Sequence, residues 1–324
     1  MSQHHHPATL LHSAFYRFAP VADPAALADA LRLLGTELCG SIVVAGEGIN
    51  GAVAGSPAAV AGFEAAIQRP TLLAGALRGM VFKHSGCSSQ PFGRFKVSVK
   101  PEIVALGLPT AVAGAELAPP DAQDASHLAP AAWRALLDRD DLVLLDNRNH
   151  FEFRLGHFRG ALDPQVNNFR DFVAYVQAQA PQWREAGRPV AMYCTGGIRC
   201  DKTAPWLRSL GLEVWQLDGG ILNYLQQCPP AADGGADSAR AVAADGVGDG
   251  QPAGPTAGPP DWQGECFVFD NRIALDAGLQ ETATTAEQVF DPRLADEAWR
   301  LQRARQLDQA AGPTAAPAAP LAAA

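Results

Sequence analysis

Two short runs in which every residue is apolar constrain the fold of this chain more than any other feature of its sequence. They occupy residues 142–145 and 189–193, and each is followed by a polar loop. Uninterrupted apolar runs are typical of strands buried on both faces of a parallel sheet, and helical patterns alternate with them here. Ligands of such sheets bind beyond the carboxyl ends of the strands. The residues just after the two runs, Asp146 and Cys194, are therefore candidates for a functional site.

The first part of the chain, residues 14–112, follows a different order of elements. Its patterns predict strands at 14–18, 41–45 and 49–53, helices at 24–38 and 57–68, and one or two further strands at 80–83 and 92–99. Asp23 and Ser56 each precede a proline and are suited to cap the two helices. The resulting order, β-α-β-β-α-β, predicts a ferredoxin-like α+β domain.

Composition divides the chain into six predicted segments. In chain order they are a disordered N-terminus (1–13), the ferredoxin-like or acylphosphatase-like domain (14–112), an α/β domain with a parallel sheet (124–226), a linker rich in glycine, alanine and proline (229–261), a C-terminal extension (262–309) and a disordered tail (310–324). The linker and the tail contain too few large apolar residues to bury a core.

The net charge of −9 does not exclude a nucleic-acid partner, because the charge is concentrated near one end of the chain. Residues 229–324 carry 14 acidic against 6 basic residues, whereas residues 1–110 carry 8 basic against 6 acidic. No apolar run approaches the roughly 20 residues that cross a bilayer, and the N-terminus does not resemble a signal peptide. We therefore expect a cytoplasmic protein with no membrane partner.

One of the six cysteines lies in a loop that favours thiolate chemistry. This loop, here called the cysteine loop, is Cys194-Thr195-Gly196-Gly197-Ile198-Arg199, and a helix is predicted after it at about 200–210. Its two glycines can turn backbone N–H groups inward, while the helix N-terminus and the arginine add positive charge. Cys194 is therefore predicted to be a nucleophile with a low pKa. The alternative is an inert cysteine buried at the end of a strand.

The spacing within the loop also bears on its chemistry. Tyrosine phosphatases place an arginine six positions after the cysteine, whereas here the arginine comes five positions after it. The shorter ring suits a sulfur atom on the thiolate better than a phosphate group, which disfavours a phosphatase. No Cys-x-x-Cys pair occurs, so no metal-ligating residues are predicted, although the need for a metal stays open.

Several motifs resemble known families. Those that resemble the rhodanese superfamily are Asp146-x-Arg148, Gly156-His157-Phe158-x-Gly160-Ala161, the cysteine loop and Asp218-Gly219-Gly220. A second set of motifs resembles, more narrowly, the bacterial tRNA uridine-34 hydroxylase family, whose members contain a rhodanese domain. These motifs are 146–152, 193–200, Gly46-Glu47-Gly48-Ile49-Asn50-Gly51, 95–107 and Phe267-Val268-Phe269-Asp270-Asn271-Arg272. The resemblance covers roughly residues 14–276. The chain departs from it in having only Cys266 where many members carry a cysteine-rich segment.

The resemblance implies a ferredoxin-like domain followed by a rhodanese-like α/β domain. It also implies an enzyme that uses molecular oxygen to convert uridine at the tRNA wobble position 34 to 5-hydroxyuridine. The partner is then tRNA and oxygen is a co-substrate; no organic cofactor is evident, and the source of the reducing electrons stays open. In this interpretation Cys194 adds to C6 of a flipped-out uracil, whose carbonyl charge faces the loop N–H groups and Arg199.

Two other functions remain as alternatives. A thiosulfate-type sulfurtransferase would carry sulfur as a persulfide of Cys194, and nothing in the loop excludes it. A simple sulfur carrier, however, does not need the ferredoxin-like domain. A noncatalytic binding module does not need the intact spacing of Cys194 and Arg199.

Residues next to the loop have two interpretations each. Asp146 and Arg148 form either an exposed ion pair or a pair that serves the loop, with Arg148 reaching it and Asp146 fixing its backbone donors. Cys200 is either a redox partner of Cys194 or a half-buried small side chain.

A basic stripe is predicted near the end of the first domain. Arg94, Lys96, Ser98 and Lys100 alternate along a predicted strand and therefore share one face. We expect the three basic residues to contact RNA phosphates, although a solvated strand face has the same pattern.

Overall fold

The computed structural model describes residues 10–108, 126–228 and 261–311 of the chain. The predicted linker (229–261) and tail (310–324) and the predicted N-terminal segment lie almost entirely outside these ranges. Two of these predictions are wrong where they overlap with the described residues. The first strand, β1, begins at Leu10, so residues 10–13 belong to a strand, and the last helix reaches Ala311, so residues 310 and 311 are helical. Within the described ranges, no helix combines the length and the apolar character that crossing a bilayer requires.

The N-terminal domain has the predicted β-α-β-β-α-β order with one further strand. Its elements are β1 (Leu10–Phe18), α1 (Pro24–Leu34), β2 (Cys39–Ala45), β3 (Gly48–Gly55), α2 (Pro57–Ile67), β4 (Phe82–Cys87) and β5 (Phe95–Val99). The strand order is β4-β1-β3-β2-β5, in which β5 is parallel to β2 and the other neighbours are antiparallel. The ferredoxin-like architecture is thereby confirmed.

The two predicted caps explain where the helices of this domain begin. The Asp23 carboxylate accepts two N–H groups from the first turn of α1, at 3.0 and 2.9 Å, and the Ser56 hydroxyl accepts one from α2 at 3.2 Å. Helix α1 ends at Leu34 instead of the predicted residue 38, because the chain turns at Gly35 directly against Phe95. A Cβ at Gly35 would lie 2.1 Å from that ring.

The two faces of the N-terminal sheet have different surroundings. One face packs against the helices through apolar side chains such as Ile42, Val44 and Val97. The residues of the other, here called the open face, line a pocket: His12, Ala14, Tyr16, Ser41, Val43, Lys83 and Ser85. Strand β4 lies at 82–87 and not at the predicted 80–83, because its outward residues are polar and an apolar pattern therefore missed them.

The second domain is built on a parallel sheet, as predicted. Its elements are β6 (His127–Leu128), α3 (Pro130–Leu137), β7 (Val143–Asp146), α4 (His150–Leu155), β8 (Gly156–Phe158), α5 (Asp171–Glu185), β9 (Val190–Tyr193), α6 (Ile198–Ser209), β10 (Val214–Leu217) and α7 (Gly220–Gln227). The strand order is β6-β10-β9-β7, with every pairing parallel. All residues of β7 and β9 are buried, which explains the unbroken apolar runs at residues 142–145 and 189–193.

The C-terminal segment packs onto the second domain. Its elements are β11 (Trp262–Gly264), β12 (Cys266–Phe267), β13 (Ala274–Leu275), α8 (Ala286–Val289) and α9 (Ala295–Ala311). Strand β11 pairs with β8, and the ring of Phe151 lies 5.0 Å from Phe267 and 5.1 Å from Phe290. The segment therefore extends the core of the second domain.

A buried lysine joins the two domains. Lys202, in α6, is 1% exposed, and its ammonium donates to Glu47 at 2.8 Å, to Glu102 at 2.5 Å and to the Val104 carbonyl at 2.9 Å. A second contact runs from the Tyr16 hydroxyl to a carboxylate oxygen of Asp201 at 2.7 Å. The first turn of α6 is thus held against the N-terminal domain.

Candidate active site

The cysteine loop lies between the end of β9 and the first turn of α6, with the start of α7 packed behind it. The N–H groups of Ile221 and Leu222 donate to the carbonyls of Cys194 and Thr195 at 3.0 and 3.1 Å. Gly220 permits this approach, because its φ is +69° and a Cβ there would lie 2.4 Å from the Cys194 carbonyl oxygen. The Asp-Gly-Gly motif therefore fixes the first two carbonyl groups of the loop.

The sulfur of Cys194 is buried and lies among hydrogen-bond donors. The Gly197 N–H donates to Sγ at 3.1 Å. Burial raises the pKa of this thiol, but the Cys200 thiol, the charge of Arg199 and the backbone N–H groups of residues 199 and 200 outweigh it and lower the pKa to about 6. Cys194 is therefore mostly thiolate at neutral pH.

The two glycines of the loop have different roles. Gly197 has a φ of +102° and is the N-cap of α6, so the helix begins at Ile198, before the predicted residue 200. Gly196 does not have a positive φ, and a Cβ added to it would meet no heavy atom within 4 Å. The backbone conformation of the loop thus requires a glycine at position 197 but not at position 196.

Arg199 is bound by a carboxylate that the sequence analysis did not single out. Its guanidinium donates twice to Glu152, at 2.9 and 2.7 Å, and the two side chains are 8% and 0% exposed. Burial raises the pKa of Glu152, but the charge of Arg199 outweighs it and holds the pKa below its usual range. The charge of Arg199 is therefore partly compensated by Glu152; Arg199 also lines the pocket, and its role toward a uracil carbonyl stays a prediction.

Asp146 and Arg148 form a fully buried ion pair, so the interpretation as an exposed pair is wrong. The guanidinium donates to both carboxylate oxygens, at 2.9 and 2.7 Å, and also to the Gly156 carbonyl at 2.5 Å. It lies 5.7 Å from the ring of Tyr193 and 5.8 Å from that of Trp262. These contacts join β7, β9 and the C-terminal segment beneath the loop. The Asp146 carboxylate accepts hydrogen bonds from Arg148 and not from the N–H groups of the loop.

Cys200 is buried, not half-buried, and its thiol is close enough to Cys194 to lower the pKa of that residue. Burial and the nearby Cys194 raise the pKa of Cys200 well above its ordinary value, so it is a neutral thiol beside the thiolate. The amide of Asn147 lies 4.0 Å from the Cys200 sulfur and donates to Thr203 at 2.8 Å. The two cysteines are thus adjacent and reduced.

A pocket of about 390 Å³ separates the cysteine loop from the open face of the N-terminal sheet. Cys194, Thr195, Gly196 and Arg199 line one side, and residues of all of β1 to β4 line the other. Its size is within the range of pockets that hold small ligands. The candidate site is therefore formed by both domains together.

Aromatic side chains surround this pocket. Phe169 and Phe269 lie on the Arg199 guanidinium at 6.0 and 5.7 Å, and Phe92 stacks on His12 at 5.9 Å. Phe269 is 60% exposed although it is large and apolar. Exposed aromatic rings beside a pocket are suited to stack on unpaired bases.

The predicted basic stripe lies at the edge of the same open face. Lys96 and Ser98, in β5, pair with Ser41 and Val43 of β2, which line the pocket. Partners in a register share a face of the sheet, and Lys96 is exposed there. Arg94 and Lys100 flank the strand and are also exposed.

The sequence analysis missed two residues of the site. Glu152 is the last residue of a capping box that begins at Asn149, and this Asn-x-x-Glu spacing is visible in the sequence. Lys83, whose ammonium reaches the cysteine loop from β4, has no local signal, since only the docking of the two domains brings it there.

Family models match both domains of the chain. Residues 11–103 match the model of the UPF0176 acylphosphatase like domain, and residues 129–227 match that of the rhodanese-like domain. Among solved structures, a rhodanese-like domain from Anabaena sp. has a TM-score of 0.27 and 19% identity, and the match covers 39% of this chain and 98% of that one.

Relatives named tRNA uridine(34) hydroxylase match most of the chain. The protein of Deinococcus radiodurans is 40% identical over 83% of this chain and 77% of its own length. That of Nitrobacter winogradskyi is 39% identical over 86% and 96%, and that of Synechococcus elongatus 40% over 82% and 85%. This chain therefore belongs to the tRNA uridine(34) hydroxylase family.

Proposed function

We propose that this protein hydroxylates C5 of uridine at wobble position 34 of tRNA, giving 5-hydroxyuridine, with molecular oxygen as co-substrate and Cys194 as nucleophile. The names of its relatives support the substrate. The observation that supports the chemistry is a thiolate, Cys194 with a pKa of about 6, that faces a base-sized pocket.

The uridine reaches the pocket as an unstacked base. An anticodon loop is single-stranded, so the cost of turning one base outward is small. The base then lies between the cysteine loop and the open face, and Phe269 at the pocket is suited to stack on a neighbouring base. Stacking does not depend on base identity, so it positions the strand for the reaction.

The thiolate activates the carbon that is to be oxidised. Attack of Cys194 on C6 moves an electron pair toward C5 and the C4 carbonyl oxygen, which makes C5 reactive toward oxygen. Later loss of the C5 proton and departure of the thiolate from C6 restore the double bond. Backbone N–H groups of the loop are suited to stabilise the negative charge on the uracil carbonyl.

We assign Cys200 the role of redox partner. When one atom of O₂ is retained at C5, release of the other as water consumes two electrons and two protons. Oxidation of Cys194 and Cys200 to a disulfide releases the same number, and the two thiols are close enough to shift each other's pKa. A single turnover without added reductant should therefore leave a peptide with a Cys194–Cys200 disulfide in the mass spectrum. A stoichiometric product with both thiols still reduced would remove this role.

Arg94, Lys96 and Lys100 are proposed to bind tRNA phosphates. Changing all three to glutamine should weaken binding and reduce the slope of log affinity against log salt concentration by roughly one unit per lost contact. The control replaces Arg69 and Arg78, exposed residues that follow α2 on the other side of the sheet, and should leave the slope unchanged. A triple variant with the wild-type slope would refute RNA binding by this strand.

The experiment that tests the function as a whole compares tRNA nucleosides by mass spectrometry in cells with and without the gene. 5-Hydroxyuridine should disappear without it and return with wild type but not with Cys194→Ser. The alternative function, thiosulfate sulfur transfer through a Cys194 persulfide, predicts sulfur release to cyanide and an unchanged content of 5-hydroxyuridine. The two outcomes are distinguishable in the same strains.

A further inference from the structure

Lys83 brings a cation from the N-terminal domain to the cysteine loop. It lies on the open face of β4, opposite Ala14 of β1. Its ammonium donates to the Gly196 carbonyl oxygen at 2.5 Å and lies 5.0 Å from the centre of the Tyr16 ring. No other side chain of the N-terminal domain hydrogen-bonds with a backbone atom of the loop within the described ranges.

The charge of Lys83 is not compensated by an ion pair. Arg199, the cation within the loop, is bound on both nitrogens by Glu152, whereas no carboxylate of the described residues lies within 4 Å of the Lys83 ammonium. Asp201 faces it but already accepts from the Tyr16 hydroxyl.

The other ionisable groups that face Lys83 are Cys194 and the exposed Asp218. Burial lowers the pKa of Lys83, and the neighbouring negative groups, Cys194 first among them, oppose this effect. The thiolate and the ammonium therefore stabilise one another's charged forms.

We propose that Lys83 is a positioning residue for Cys194: its ammonium fixes the peptide between Gly196 and Gly197 so that the N–H of this peptide points at the sulfur, and it adds a positive charge to that of Arg199, which is paired with Glu152. This inference rests on the proposed role of Cys194 as the reacting thiol.

The geometry of one peptide group carries the argument. In a trans peptide the carbonyl and the N–H point in opposite directions, so binding the Gly196 oxygen on one side directs the Gly197 N–H to the other. That N–H lies 3.1 Å from Sγ of Cys194. A peptide between two glycines can rotate at little steric cost, so the loop does not fix this orientation by itself. A tether from outside the loop is needed, and Lys83 is that tether.

The test is the pKa of Cys194 in the full-length protein, obtained from the rate of iodoacetamide alkylation against pH with site-resolved mass spectrometry. Lys83→Met removes both the hydrogen bond and the charge, and should raise the pKa by about one unit or more, which slows alkylation at pH 6 about fivefold. Lys83→Gln keeps a donor for the Gly196 carbonyl without the charge and should give a smaller shift. Arg78→Met, in an exposed loop of the same domain, serves as the control and should give none.

Kinetics separate positioning from a general loss of structure. If Lys83 acts through the thiolate, the kcat of Lys83→Met should fall near pH 6.5 and recover as the pH rises, because the thiolate is then restored without the lysine. A misfolded variant would not recover, and urea titration identifies one directly. In that case Lys83→Gln provides the decisive value.

The outcomes distinguish this inference from the proposed function. If Cys194 in wild type alkylates no faster than an ordinary cysteine, the reacting thiol itself is misassigned. If wild-type Cys194 is fast and stays equally fast in folded Lys83→Met and Lys83→Gln, the proposed function stands and the role of Lys83 is overturned.

Discussion

Replacing Glu152 with glutamine separates the two effects of the buried ion pair on stability and on the cysteine. Glu152 is 0% exposed and forms two charged hydrogen bonds with Arg199, which is itself almost fully buried. Removing one partner of such a pair costs about 3–5 kcal/mol, because the other charge stays buried without compensation. Glutamine still accepts one hydrogen bond, so we expect a loss near 3 kcal/mol, which at a slope of roughly 2–3 kcal/mol per molar urea lowers the unfolding midpoint by about 1 M or more.

The same substitution should lower the pKa of Cys194, whereas a general loosening of the site should raise it. Without the carboxylate, the charge of Arg199 is no longer compensated, so the pKa of Cys194 should fall below its wild-type value of about 6. The matched control is Glu297→Gln, since Glu297 is buried, pairs with Arg154 at 2.7 Å and belongs to the C-terminal helix. It should destabilise the protein and leave the pKa of Cys194 unchanged.

Acid unfolding is the third measurement on the Glu152→Gln variant. The folded-state pKa of Glu152 lies below its unfolded value, so its ion pair stabilises the fold above the unfolded pKa of roughly 4.3 and this contribution is lost as the pH falls through the folded pKa. Glu152→Gln should therefore lack this part of the pH dependence. A Cys194 pKa that rises in Glu152→Gln, or that matches the Glu297→Gln control, would refute the argument from the compensated arginine.

Three further predictions concern the loop and its pocket. Iodoacetamide at pH 6 should label Cys194 faster than Cys87 by orders of magnitude, because burial raises the pKa of Cys87 to about 11; equal labelling would contradict the assignment. Gly197→Ala should destabilise the protein by about 1–3 kcal/mol in urea titration, since its φ is +102° and a Cβ would lie 2.8 Å from a tyrosine hydroxyl, whereas Gly196→Ala should unfold like wild type; similar losses in both would refute the different roles of the two glycines. Phe269→Ala should raise the KM for tRNA roughly tenfold with an unchanged Cys194 pKa, and an unchanged KM would remove base stacking from its role.

The sequence predicted the parts of this protein that depend on local chemistry. The apolar runs that became β7 and β9, the capping residues Asp23 and Ser56 and the order of elements in both domains follow from burial and hydrogen bonding within short segments. The cysteine loop was likewise predictable, because its glycine and its helix N-terminus act on residues next to them in the chain.

The environment of the loop could not be predicted, because it depends on contacts between segments far apart in sequence. Arg199 and Glu152 are separated by 47 positions, and Lys83 and Gly196 by 113. An arginine after a cysteine indicates a charge near the thiolate, but not whether a carboxylate neutralises that charge. Arg199 does line the pocket, but its pairing with Glu152 and the approach of Lys83 to the loop had no signal in the sequence.

The first turn of α6 explains why the two domains should be treated as one catalytic unit. Its consecutive residues have two functions. Arg199 and Cys200 belong to the site, while Asp201 binds Tyr16 and Lys202 binds acidic residues of the N-terminal domain. A helical turn moves as a rigid unit, so a shift of the N-terminal domain also shifts the donors around the thiolate. A persulfide carrier must present its sulfur to a partner and gains nothing from such a clamp. An enzyme that must hold one base against a thiolate and exclude water needs the opposite wall fixed, which is what Lys202 and Lys83 provide.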